Sequence, residues 1–326
     1  SPASPTPGMR RFYRIAQNSL RAYASLRMDE FSIDKRLARA AFDRAAHSYD
    51  NAAVLQREVA RRMAERLQYL KCQPERILDL GSGTGFGAQL LRQHYPQATM
   101  VELDFALEML RVAARAAWWQ KLGDRLRGRR ILQLAADVEH LPLASESVAM
   151  AWSNMTLQWC NDPDRVFAET RRVLMPNGLF MFSTFGPDTL KELRAAFAQI
   201  DGRTHVNRFI DMHDIGDALV RAQFGTPVMD VEHFTLTYTD LEKLMRDLKA
   251  LGAHNVTHGR QRGLFGRKAW TRLQHAYAEF ARDGVLPATY EVVYGHAWKT
   301  VAGEQPSSRD PAVIRLDFPR RQRGQS

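Results

Sequence analysis

Ile77-Leu78-Asp79-Leu80-Gly81-Ser82-Gly83-Thr84-Gly85 is the stretch whose reading decides the fold. A short apolar run ends in an acid, and three glycines follow at alternate positions. That order describes a strand running into a tight turn ahead of a helix. Glycine has no Cβ, so a ligand can lie directly on the main chain there, facing backbone amides and a helix N-terminus. Spacing narrows the choice of ligand. A dinucleotide fingerprint needs Gly or Ala five residues after its first glycine, and Phe86 stands in that place. A phosphate loop needs Gly-Lys followed by Ser or Thr, and that sequence is absent.

Outward from this turn the chain alternates. Asp34 to Ala46 and Val54 to Leu70 read as helices, the second with apolar residues at 55, 59, 63, 67 and 70. Strands are expected at 76–80, 98–104, 131–136, 148–153 and 178–184, with helices at 86–94, 105 to about 118, and 163–173, the last opening on Pro163. Two further strands are expected at about 228–238 and 286–300. Repeated strand–helix units imply an α/β fold with a mostly parallel sheet and helices on both faces. Ligands of such sheets bind beyond the carboxyl ends of the strands. Polar side chains fall at those ends: Asp79, then Glu102 and Asp104, then Asp137, then Asn154 and Gln158.

The 326 residues are 45% hydrophobic and 25% charged, ordinary for a globular protein. No run of 18 apolar residues is present, so no membrane span is expected. Cys72 and Cys160 are far apart and lack metal-ligand spacing, which fits a reducing, cytoplasmic setting without disulfides. His254 and His258 lie four apart with no Cys or carboxylate cluster beside them, so no metal site is expected. The net charge of +10 resides mainly at the ends: residues 1–28 carry +5, 299–326 carry +3, and the remainder only +2. That distribution argues against nucleic acid as a partner. Residues 1–30 read as a basic, disordered leader and 301–326 as a basic, disordered tail.

Asp-x-Gly-x-Gly-x-Gly resembles the first motif of the class I S-adenosylmethionine-dependent methyltransferases, whose Rossmann-like core carries a seven-stranded sheet. Other blocks are more restrictive. Ala41-Phe42-Asp43-Arg44-Ala45-Ala46-His47-Ser48-Tyr49-Asp50, Phe182 to Arg194, Phe209 to Gly216, Leu248 to Asn255, Gly263 to Arg267 and Tyr290 to Trp298 resemble the malonyl-acyl-carrier-protein O-methyltransferase (BioC) family of biotin synthesis. Together these blocks span roughly 33–300. The resemblance implies a helical lid over 31–75, a cofactor-binding core over 76–238, a helical cap inserted at 239–285, and a last core strand over 286–300.

It also implies roles. Gln56, Asp79, Gly81, Gly83, Gly85, Asp104, Phe105, Asp137, Val138 and Asn154 would hold S-adenosylmethionine. Asp104 would accept from both ribose hydroxyls, with Glu102 on the same face as the alternative. Asp137 would accept from the adenine amino group, a helix N-cap being its other reading. Tyr49, Asn154 and Phe185 would surround the transferred methyl, Tyr49 and Phe185 as opposite walls. The acceptor implied is the free carboxylate of a malonyl group on acyl carrier protein. A carboxylate is an anion at neutral pH and needs no base, which suits Asn154 and Gln158 standing where a base would sit. Carrier protein is acidic, so Arg246, Lys249, Arg260 and Arg267 are expected to dock it. A monomer is expected. The alternatives are an arginine-hydroxylating complex I assembly factor, a quinone-type small-molecule methyltransferase, and a non-catalytic chaperone that binds the cofactor structurally. The intact glycine turn and the long cap region disfavour the first two.

Overall fold

The computed structural model describes residues 32–116, 131–201, 205–251 and 266–300. The leader, the tail, Arg260 and the His254/His258 pair lie outside the described residues. Seven strands form one sheet in the order β3-β2-β1-β4-β5-β7-β6. They are β1 (Arg76–Leu80), β2 (Thr99–Asp104), β3 (Ile131–Ala135), β4 (Val148–Asn154), β5 (Leu174–Phe185), β6 (Phe224–Tyr238) and β7 (Leu286–Lys299). Pairing is parallel from β3 through β5, and β7 runs antiparallel between β5 and β6. Chain order reverses between β1 and β4, and the glycine turn opens at that point.

Ten helices of the described residues flank the sheet: α1 (Lys35–Ala45), α2 (Tyr49–Ala52), α3 (Val54–Arg66), α4 (Phe86–His94), α5 (Leu107–Ala116), α6 (Pro163–Val173), α7 (Lys191–Ala198), α8 (Met212–Arg221), α9 (Leu241–Ala250) and α10 (Arg267–Ala278). Alternation along each strand sends residues to opposite faces. Ile77, Met100 and Met150 pack with Leu55, Val59 and Met63 of α3 and with Leu91 of α4. Leu78, Val101 and Ala151 pack on the other side with Val166 and Phe167 of α6 and with Ile215 and Leu219 of α8. Leu244 of α9 and Leu273 and Tyr277 of α10 join the first cluster, so these two helices are built into the core on that face.

The sequence marks several element ends directly. Asp34 caps α1 by accepting from Arg36 N and Leu37 N, Asp162 caps α6 ahead of Pro163, and Asp240 caps α9. Two strands begin earlier than their patterns suggest. β5 starts at Leu174 because Leu174 pairs with Val148 before an irregularity that includes Asn177 at φ +59. β6 starts at Phe224 and shifts register between Gly225 and Val228, where Pro227 has no N–H to give the ladder.

Candidate active site

The glycine turn is held from below. Gly81 N and Ser82 N both donate to Leu103 O, at 2.7 and 3.0 Å, tying the turn to the end of β2. All three glycines have positive φ, at +72, +53 and +89 for Gly81, Gly83 and Gly85. A Cβ on Gly81 would lie 2.2 Å from Thr156 Oγ1, and that hydroxyl donates to Leu80 O. A Cβ on Gly83 would meet nothing within 4 Å; it would project into an open pocket. Gly85 does not line that pocket. It is the left-handed residue that turns the chain into α4, packed against Ala113.

Gly81, Gly83, Asp104, Phe105, Asp137 and Val138 line one continuous pocket at the strand ends, and the lid adds Lys35, Phe42 and Tyr49. Asp104 is 5% exposed. Its Oδ2 accepts from Gly83 N at 2.9 Å and its Oδ1 from Ala106 N at 2.8 Å. Burial pushes its carboxyl up to about 6, against these two stabilising bonds. Glu102 lies off the pocket. Its oxygens accept from Gln133 Nε2 at 2.7 Å and Arg92 Nη1 at 3.4 Å. Asp137 is not a helix N-cap, since no helix follows it before β4. Oδ1 accepts from Glu139 N in a local turn, while Oδ2 faces the lid and pairs with Lys35 Nζ at 2.5 Å. Lys35 also reaches Glu139 Oε2 at 2.6 Å. Asp137, Glu139 and His140 bring three potential metal-ligand atoms together, and the Lys35 ammonium supplies the positive charge there. Phe42 packs edge-on against Phe105 and Trp159, centroids 5.8 and 5.0 Å away.

A further compartment shares Tyr49, Gly81, Gly83 and Asn154 with this pocket and adds Asp50, Gln56, Arg57 and Asp79. Asp79 is 2% exposed, and its Oδ2 has no hydrogen-bond partner. Burial, reinforced by the Glu102 and Asp104 charges, holds its carboxyl well above the usual range. A buried acid with a free oxygen suits a cationic ligand group. Burial and the charges of Asp104 and Asp50 likewise raise the Tyr49 phenol, which therefore keeps its proton. Asn154 is fixed at both ends: Nδ2 donates to Gln56 O at 3.1 Å, and Oδ1 accepts from Ser183 Oγ at 2.9 Å. Met155, next in the chain, is held at φ +55 with its N–H on Ser183, a strained turn of the kind found beside functional sites.

Beyond Asn154 opens a second cavity of about 950 Å³. Phe185 lines it, its ring 5.4 Å from Phe209 and 5.7 Å from Tyr290. Leu193 and Phe197 of α7, Val206 and Leu248 complete an apolar wall, with Gln158, Asn207 and Asp247 as polar points. Trp159 lines both this cavity and the glycine-turn pocket, and Gln56 lines both this cavity and the compartment of Asp79. The two sites therefore meet at these side chains. Tyr49 and Phe185 are not brought to one cavity: Tyr49 lies on the glycine-turn side and Phe185 on the apolar side. The intended opposition of the two rings fails because the lid turns at α2, carrying Tyr49 toward Asp104 and leaving Ala52, Val54 and Leu55 to line the large cavity. Lys249 lines that cavity. Arg246 instead points outward in an exposed pair with Glu242 at 3.1 Å, and Arg267 is exposed at the start of α10.

The seven-stranded sheet with its antiparallel β7 and the glycine turn at the end of β1 are those of a class I S-adenosylmethionine-dependent methyltransferase. A family model described as "Methyltransferase domain" matches residues 78–182. Two solved structures share the fold: YcgJ from Bacillus subtilis, at TM-score 0.50 and 14% identity over 73% of this chain and 98% of that one, and BH2331 from Bacillus halodurans, at 0.51 and 17% over 73% and 99%. Curated relatives are far more similar. A malonyl-[acyl-carrier protein] O-methyltransferase from Gallionella capsiferriformans is 59% identical over 89% of this chain and 99% of its own length. One from Laribacter hongkongensis is 60% identical over 84% and 92%. The chain belongs to the malonyl-[acyl-carrier protein] O-methyltransferase family.

Proposed function

We propose that this protein transfers a methyl group from S-adenosylmethionine to the free carboxylate of a malonyl thioester carried by acyl carrier protein. The observation that carries the reading is the junction of two sites, one polar and glycine-floored, the other large and apolar, at Gln56 and Trp159. In this reading Asp104 holds the ribose, Asp137 and Val138 the adenine edge, and Asp79 the cofactor's cationic end. Gly81 and Gly83 leave the main chain bare for it. Bound there, the cofactor supplies a methyl on a sulfonium, which leaves with the C–S bonding pair going to sulfur. The carboxylate oxygen brings its own electron pair, so no proton moves. The larger side chains that these compartments share are two amides, an indole and a phenol, those of Gln56, Asn154, Trp159 and Tyr49, and none is needed as a base. The protein's task is then alignment and exclusion of water. The apolar cavity has room for the thioester and the pantetheine arm. Lys249 at its wall and the exposed Arg246, Arg267 and Lys268 are the cations offered to an acidic carrier. Incubation with methyl-labelled cofactor and malonyl-carrier protein tests this: label should appear in a base-labile ester on the carrier-bound acyl group. Label on carbon or nitrogen, or none, overturns it.

A further inference from the structure

The compartment around Asp79 contains three charged side chains among the described residues: Asp50, Asp79 and Arg57. Arg57 is its one cation there. It sits in the first turn of α3, on the lid, and its Nη2 donates to Asp50 O at 2.8 Å. That uses one of the five N–H groups of a planar fork. The guanidinium carbon stands 5.8 Å from the centroid of Phe86, a face that attracts and flattens an Arg. Phe86 is the residue that excluded a dinucleotide, since it replaces the small residue such a site needs. Here its ring becomes a platform. Arg61 shares that ring at 5.5 Å but does not line the compartment.

The methionine end of the cofactor is an ammonium and a carboxylate on one carbon. Asp79, buried with an unpartnered oxygen, answers the ammonium. We propose that Arg57 is the specificity residue for the cofactor's α-carboxylate, reaching it from the lid while Asp79 takes the ammonium from the floor. The proposal rests on reading this compartment as the methionine end of the cofactor site. Arg57 thereby reports the carboxylate to the lid: the helix that begins at Val54 also carries Gln56, which lines the acyl cavity.

Titration calorimetry with two probes tests it, using the full chain: S-adenosylmethionine and its decarboxylated analogue, which keeps nucleoside, sulfonium and ammonium. The wild type should bind the first about ten- to hundredfold more tightly, the worth of a charge-assisted contact. Arg57→Ala and Arg57→Gln should lose that preference by weakening S-adenosylmethionine alone, with the analogue's Kd unchanged. Arg57→Lys should restore part of it, a point charge replacing a fork. Equal weakening of both probes would mean that Arg57 only holds the lid through Asp50, and unchanged affinity for both would mean that it faces water; either overturns the proposal. A wild type that binds neither probe overturns the cofactor reading beneath it, a failure distinct from one seen only in the variants.

Discussion

Removal of the Asp104 carboxylate should separate cofactor binding from folding. In Asp104→Ala two contacts to ribose hydroxyls are lost. Hydrogen bonds to a charged acceptor are worth roughly 1.5–3 kcal/mol each, so the pair comes to about 3–6 kcal/mol, or about 10²–10⁴ in Kd. The cost to the unliganded fold is smaller. Gly83 N and Ala106 N lose their acceptor, but water can enter the vacated space, and a desolvated charge has gone. Acidity adds a second signature. The unliganded carboxyl titrates at about 6, against a usual 3.8. The folded state therefore holds this proton more tightly than the unfolded chain. Asp104's contribution to unliganded stability is greatest below about pH 4 and declines as pH rises to about 6. Ribose hydroxyls and a sulfonium both favour the anion, so cofactor binding should expel the proton and weaken about tenfold per pH unit below 6. Calorimetry at pH 5 and 7.5 and thermal melts with and without S-adenosylmethionine measure both effects. The cofactor's Tm increment should be larger at pH 7.5, and in Asp104→Ala its pH dependence should shrink to what the raised Asp79 carboxyl still contributes. Unchanged affinity in the variant, or a wild-type affinity flat from pH 5 to 7.5, would refute Asp104 as the ribose acid.

Gly81→Ala and Gly83→Ala should fail differently. The first drives Cβ into Thr156 and should lower Tm steeply. The second adds only left-handed strain of about 1–2 kcal/mol, and should fold yet bind S-adenosylmethionine at least about tenfold more weakly; a Gly83→Ala protein with wild-type affinity contradicts the cradle. Tyr49→Phe should cut kcat about tenfold, roughly 1.4 kcal/mol of barrier, with little change in Tm, and wild-type turnover would leave the ring as a packing element beside Phe42. Charge reversal at Arg267 or Lys249 should raise KM for malonyl-carrier protein more than for malonyl-CoA, an effect that shrinks with salt. Arg246, already paired with Glu242, should respond less, and equal effects on both substrates would move these residues from the protein face to the acyl path.

The framework was legible because its signals are local. Asp34, Asp162 and Asp240 cap helices within three residues of themselves, and Pro163 opens α6 where a helix tolerates it. The alternation of Ile77 with Leu78 announces a strand buried on both faces. Gly81, Gly83, Asp104 and Asp137 could be placed on one pocket because strand ends in a parallel sheet converge by construction. Glu102 could not be separated from Asp104 by sequence, since residues two apart share a face. What sets them apart is Gln133 on β3 and Arg92 on α4, which claim Glu102 from neighbouring elements.

The acyl side was legible only in part, because its walls come from segments that periodicity cannot bring together. Phe209 meets Phe185 across the sheet end, and Leu193 and Phe197 reach the cavity from α7 while Leu248 reaches it from α9. Any of these reads as ordinary core in its own window. Lys35 has no local signal either: its partner Asp137 lies 102 positions away, and only closure of the lid unites them. The same holds for Arg57, an unremarkable cation on the polar side of an amphipathic helix until the lid sets it over Phe86 and beside Asp79. Sequence could state that S-adenosylmethionine binds above the glycine turn. Setting Arg57 in the compartment of Asp79 required knowing which helix lies across that turn.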